Sequence, residues 1–116
     1  MKNKLIASIG ALLLSAIAQA GYRDVYVWAT DYESNYDYVD FTIPAYTTVD
    51  FYLETYAEGA ADAWVYVDYQ YFCDVWGTDV LTDSYSSQAS PIDISLHVSA
   101  SAPTSYSSSA FASAGW

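Results

Sequence analysis

Alternation with a period of two is the feature that most constrains this chain. Successive strand side chains point to opposite faces, so alternating apolar and polar residues bury one side of a sheet. Val25, Val27 and Ala29 alternate with Asp24, Tyr26, Trp28 and Thr30. Residues 31–35 are polar and read as a turn. Val39, Phe41 and Ile43 then alternate with Tyr38, Asp40 and Thr42 until Pro44, which cannot donate to a ladder. Val49, Phe51 and Leu53 alternate with Asp50, Tyr52, Glu54 and Tyr56, and Glu58-Gly59 breaks the pattern. The fourth segment is the longest and begins near Ala63. It sets Val65, Val67, Tyr69 and Tyr71 against Trp64, Tyr66, Asp68 and Gln70. Its turn falls at Cys73-Asp74 or at Gly77-Thr78, both of which carry turn chemistry.

Residues 80–85 read as a short fifth strand and residues 86–91 as a loop. Ile92, Ile94, Leu96 and Val98 alternate cleanly with Asp93, Ser95, His97 and Ser99. Ala110, Ala112, Ala114 and Trp116 form the last alternating set. About seven strands at this spacing predict an all-β fold. The expected architecture is a small antiparallel β-sandwich, immunoglobulin-like or jelly-roll-like. An up-and-down barrel is the alternative. A membrane barrel needs strands of ~9–11 residues and a lipid-facing apolar band. The predicted strands are shorter, and their non-core face carries Asp and Glu.

The first 20 residues differ in kind. Lys2 and Lys4 precede an apolar stretch over residues 5–17, and Ala18-Gln19-Ala20 supplies a small-x-small cleavage site. These are the parts of a signal peptide in their proper order. The stretch is shorter than the ~20 residues that span a bilayer. The division expected is a signal peptide, 1–20, and a single domain, 21–116, exported to the periplasm or medium. The short basic start is of bacterial type.

Charge narrows the partners. Residues 21–116 keep all 14 acidic residues and one base, Arg23, because two of the three basic residues are Lys2 and Lys4. Their formal charge is 1 − 14 = −13. Such a chain repels nucleic acid and anionic lipid, and no stable membrane insertion of the mature chain is expected. Its aromatic content, with 13 Tyr and 4 Trp, opposes disorder.

Cys73 is the one cysteine. It forms no internal disulfide, so it is either a buried apolar thiol or an intermolecular one. His97 is the one histidine, and it reads as an exposed strand residue. Zinc needs clusters of such residues, and nothing local pairs Cys73 with His97 as nucleophile and base. A pair of carboxylates at glycosidase spacing would arise by chance among 14 acids. The chain is therefore read as non-enzymatic, without a cofactor. Calcium in a loop is the one metal considered, at Asp31, Glu33, Asp37 and Asp40 or at Asp79 and Asp83; a solvated acidic surface accounts for the same residues.

The unusual chemistry lies opposite the aliphatic positions. Tyr26, Trp28, Tyr38, Tyr52, Tyr56, Trp64 and Tyr66 stand where a sheet usually meets water, interleaved with Asp24, Asp40, Asp50, Glu54 and Asp68. Exposed aromatic area marks interaction surfaces. Rings stack on the apolar faces of sugars and carboxylates accept from sugar hydroxyls, while Tyr and Trp serve protein contacts equally. Cross-strand aromatic pairs also stabilise a sheet by roughly 0.2–1 kcal/mol each. Two functions follow as expectations: a secreted non-catalytic module contacting a glycan or protein at the cell surface, or a self-associating subunit of an extracellular fibre, sheath or matrix.

Overall fold

The computed structural model describes residues 21–116; the expected signal peptide lies outside the described residues. Eight strands fill this region: β1 (Tyr22–Thr30), β2 (Ser34–Ile43), β3 (Thr48–Ala57), β4 (Ala60–Val67), β5 (Gln70–Trp76), β6 (Asp79–Ser86), β7 (Ile92–Ser101) and β8 (Ser107–Gly115). They form two four-stranded antiparallel sheets, ordered β1-β8-β3-β6 and β2-β7-β4-β5. In effect the chain is doubled about the β4–β5 turn, so that β4 pairs β5, β3 pairs β6, β2 pairs β7 and β1 pairs β8. Rolling that long hairpin into two layers gives a jelly roll, and the immunoglobulin-like order is not adopted.

The alternating aliphatic residues meet between the layers. Val25, Val27, Val49, Leu53, Val65, Leu96, Val98 and Ala112 are all buried there. β8 contributes only small residues inward, Ala110, Ala112 and Ala114, which lets the facing sheet approach closely. Phe41 and Trp116 stack at 5.0 Å where β2 passes the end of β8.

The long fourth segment is two strands. The chain reverses at Asp68 and Tyr69, both at positive φ (52° and 64°), as a two-residue hairpin turn requires. Neither is Gly or Asn, so the turn chemistry was masked. A second irregularity follows. The register shifts between Val65 and Tyr66, which face Cys73 and Tyr71, leaving Phe72 as the extra residue of a bulge. Phe72 packs toward the core against Phe51 and Tyr85. Of the two expected turn positions, Gly77-Thr78 is a turn, with Gly77 at φ 76°, and Cys73-Asp74 lies inside β5.

Candidate functional site

The predicted aromatic positions occupy the two opposite outer faces of the sandwich. Tyr26, Trp28, Asp50, Tyr52, Glu54 and Tyr56 belong to the β1-β8-β3-β6 sheet. Tyr38, Trp64 and Tyr66 belong to the other sheet, and Asp68 sits in the turn between β4 and β5.

On the first sheet the rings close over β8. Tyr26 lies opposite Phe111, and Tyr52 opposite Ser113. The Tyr52 and Phe111 rings meet at 6.2 Å. Beneath them Phe111 and Glu54 are each 3 % exposed, and Ser109 and Ser113 are buried as well. Tyr52 donates its hydroxyl to Glu54 Oε1 at 2.6 Å. Tyr56 donates to Glu58 Oε2 at 3.0 Å. Burial, reinforced by the Glu54 bond and charge, raises the Tyr52 pKa. This face is a lid of half-buried tyrosines, with Trp28 and Asp50 left exposed. Its aromatics stabilise the sheet.

On the second sheet Tyr36, Tyr38, Tyr71 and Trp76 are exposed while Trp64, Tyr66 and His97 are half-buried, in rows set by the strand register. One row runs Tyr38, His97, Trp64, Asp74 across β2, β7, β4 and β5. The next on one side runs Asp40, Ser95, Tyr66, Tyr71, and on the other Tyr36, Ser99, Asp62, Trp76. His97 is the hub. Its ring is stacked with Tyr38 (5.5 Å), Trp64 (5.3 Å) and Tyr36 (5.9 Å), and meets Tyr66 edge-on (5.2 Å). Both ring nitrogens are engaged: Nδ1 with the Tyr36 hydroxyl at 2.6 Å and Nε2 with Ser95 Oγ at 2.7 Å. Ser95 donates to Asp40 Oδ1 at 2.5 Å. One consistent proton assignment runs from the Tyr36 hydroxyl to a neutral His97, from His97 Nε2–H to Ser95, and from Ser95 to Asp40. Burial lowers the His97 pKa, and the Asp40 charge opposes that shift.

Beside the hub is an open trough of about 530 Å³, lined by Tyr38, Asp40, Tyr66, Tyr69, Asp93 and His97 among others. Asp93 accepts from Thr42 Oγ1 at 2.8 Å and from the Tyr69 hydroxyl at 3.0 Å. Tyr69 is 82 % exposed. Ring walls over a floor of carboxylates and hydroxyls can stack on the apolar face of a pyranose and accept hydrogen bonds from its hydroxyls.

Tyr36, Tyr69, Asp93, Ser95 and His97 complete this site and were missed as site residues, while Asp40 was already placed among the rings of the water-facing side. The clean alternation over β7 already placed Asp93, Ser95 and His97 on a water-facing side. Tyr36 was hidden because residues 31–35 read as a turn, whereas β2 starts at Ser34. Cys73 is buried opposite Val65, where burial, with Asp83 and Asp74 nearby, pushes its pKa up to about 12. An intermolecular disulfide at this thiol would require local opening.

Among the described residues no three His, Cys, Asp or Glu side chains come together as a metal site. Glu33 instead accepts from the Thr30 backbone N–H at 2.8 Å, and Asp40 is engaged by Ser95.

No protein-family model matches the chain, and no curated protein matches it. Solved structures similar to it include the CBM36-1 domain of a multidomain xylanase from the hindgut metagenome of Trinervitermes trinervoides. The identity is 11%, covering 81% of this chain and 98% of that one, with a TM-score of 0.36. A carbohydrate-binding module CBM36 in complex with calcium and xylotriose is 8% identical over 83% of this chain and 89% of that one, with a TM-score of 0.37. The VP2 subviral particle of infectious bursal disease virus is 15% identical over 83% of this chain and 32% of that one, with a TM-score of 0.35.

Proposed function

We propose that residues 21–116 form an exported, non-catalytic binding module that holds a glycan against the outer face of the β2-β7-β4-β5 sheet. One observation carries this reading: the exposed rings of Tyr38 and Tyr69 border a trough whose floor offers Asp40, Asp93 and Ser95. Ring faces and hydrogen-bond acceptors are thus presented side by side on rigid strands, as sugar recognition needs. His97 serves the site as a strut, since both of its nitrogens are already bonded within the sheet.

Affinity electrophoresis against a panel of plant and cell-envelope polysaccharides tests the reading. Retardation by at least one polymer is expected, and Tyr38→Ala should abolish it while leaving the circular dichroism spectrum unchanged. Migration unaffected by every polymer would remove the reading. Export is tested separately, by expressing the whole chain in a bacterium and sequencing the N-terminus of the protein recovered outside the cytoplasm. Gly21 is the expected first residue.

A further inference from the structure

A second trough, of about 750 Å³, lies on the same sheet face beyond the ring hub. Its lining includes Ser34, Tyr36, Asp62, Trp76, Ser99 and Ser101. The two troughs share β7 as their floor: Asp93, Ser95 and His97 serve the first, Ser99 and Ser101 the second. Their walls are also continuous. Tyr38 lines one and Tyr36 the other, two residues apart on β2, with rings stacked at 6.0 Å. From Asp93 to Ser101 the path is about 27 Å long at a strand rise of ~3.4 Å per residue. That is room for several sugar rings.

The second trough repeats the chemistry of the first. Trp76 is 74 % exposed and lies across from Asp62 in the register. Asp62 Oδ1 is buried with no hydrogen-bond partner among the described residues. A buried acceptor left unpaired is costly; Oδ1 is closed to the trough in this conformation, and a turn of the Asp62 side chain toward the trough would let it accept from a ligand hydroxyl. Burial first, then the neighbouring charge of Asp74, raises the Asp62 pKa, against a backbone hydrogen bond from Ala63 that lowers it. The acidic side chains facing the path include the carboxyl groups of Asp93, Asp40 and Asp62, and β2, β4, β5 and β7 carry no Lys or Arg. The only cationic side chain among residues 21–116, Arg23, is on β1 of the opposite sheet. Polyanionic chains would meet uncompensated repulsion here.

We infer that the two troughs are one path along β7 for a linear, uncharged polysaccharide, with Trp76 and Asp62 forming its far subsite. This rests on the glycan reading above and adds ligand length, ligand charge and two further residues to it.

Titration calorimetry with neutral β-1,4-linked oligosaccharides of glucose, xylose and mannose, from disaccharide to hexasaccharide, is the test. For the series that binds, hexasaccharide affinity should exceed trisaccharide affinity by about tenfold. Trp76→Ala should bring the hexasaccharide down to the trisaccharide value and leave the trisaccharide unchanged. Asp62→Asn supplies an independent variant, expected to act in the same direction. Affinity that is flat with length, or insensitive to both variants while short sugars still bind, would overturn the extended path and spare the glycan reading. Tighter binding of a polyuronate than of any neutral chain would overturn the charge assignment. Capture of a protein at Trp76 with no sugar bound at any length would overturn both readings.

Discussion

His97 carries more of the site than its lone occurrence suggests. Tyr36, Tyr38 and Asp40 from β2, Trp64 and Tyr66 from β4, and Ser95 from its own strand all surround it. Its pKa is lowered from 6.5 by burial. The neutral ring therefore contributes stability that is present above about pH 6.5 and is lost as pH falls through the lowered value. Protonation would also force the Tyr36 hydroxyl to stop donating to Nδ1. The ring resonances of His97 should titrate with a midpoint below 6.5, and polysaccharide affinity should fall over the same interval. A midpoint above 6.5 would contradict the burial argument. Cys73 gives the opposite sign. Its thiol, pushed up to about 12, favours the fold below the ordinary thiol range, and that advantage is lost as pH rises toward 12. Native protein should react with a thiol reagent far more slowly than urea-unfolded protein. Equal rates would mean the thiol is not buried.

At the scale of elements, the β4–β5 hairpin joins strain and site. Tyr69 sits at φ 64°, where a non-glycine residue costs about 1–2 kcal/mol, yet its hydroxyl reaches Asp93 and its ring walls the trough. Tyr69→Gly should raise stability by up to about 1 kcal/mol while weakening polysaccharide binding several-fold. Thermal unfolding and affinity electrophoresis on the same variant read both effects. The hairpin also marks where sequence reasoning stops. Val65 and Val67 announced a strand, but Asp68-Tyr69 lacks the Gly or Asn that signals a tight reversal, and the Phe72 bulge let Phe72 and Cys73 both turn inward. The parity of Tyr38, Trp64 and Tyr66 was legible, as was that of Tyr26 and Tyr52. Sheet membership was not, because it depends on which distant strands pair. That pairing alone separates an open row around His97 from a closed lid over Phe111.

For the whole molecule, a core shared by two thin sheets leaves little in reserve. Leu96 and Leu53 are fully buried in opposite layers. Truncating either to Ala should cost about 3–5 kcal/mol, a large part of the roughly 5–15 kcal/mol available to a domain. Denaturant midpoints measure this, and a loss well under 2 kcal/mol would mean the layers are loosely packed. The −13 charge of residues 21–116 should make the melting temperature rise with added sodium chloride, through screening of self-repulsion. A temperature unchanged by salt would show that the carboxylates are too dispersed to repel. Sedimentation with and without calcium separates the binding module from a self-associating subunit, and a monomer in both conditions removes the latter.

The rolled hairpin also fixes an order in time. β4 and β5 are neighbours in sequence and can zip as soon as both exist, whereas β1 must wait for β8, which sits between β1 and β3. Pairings between the far ends of a chain form slowly because a long loop must first close. A full-length chain part-way through folding would hold a paired middle and two ends without partners. Loop closure thus favours assembly outward from the centre, and the first sheet closes only once β8 has been made to sit between β1 and β3.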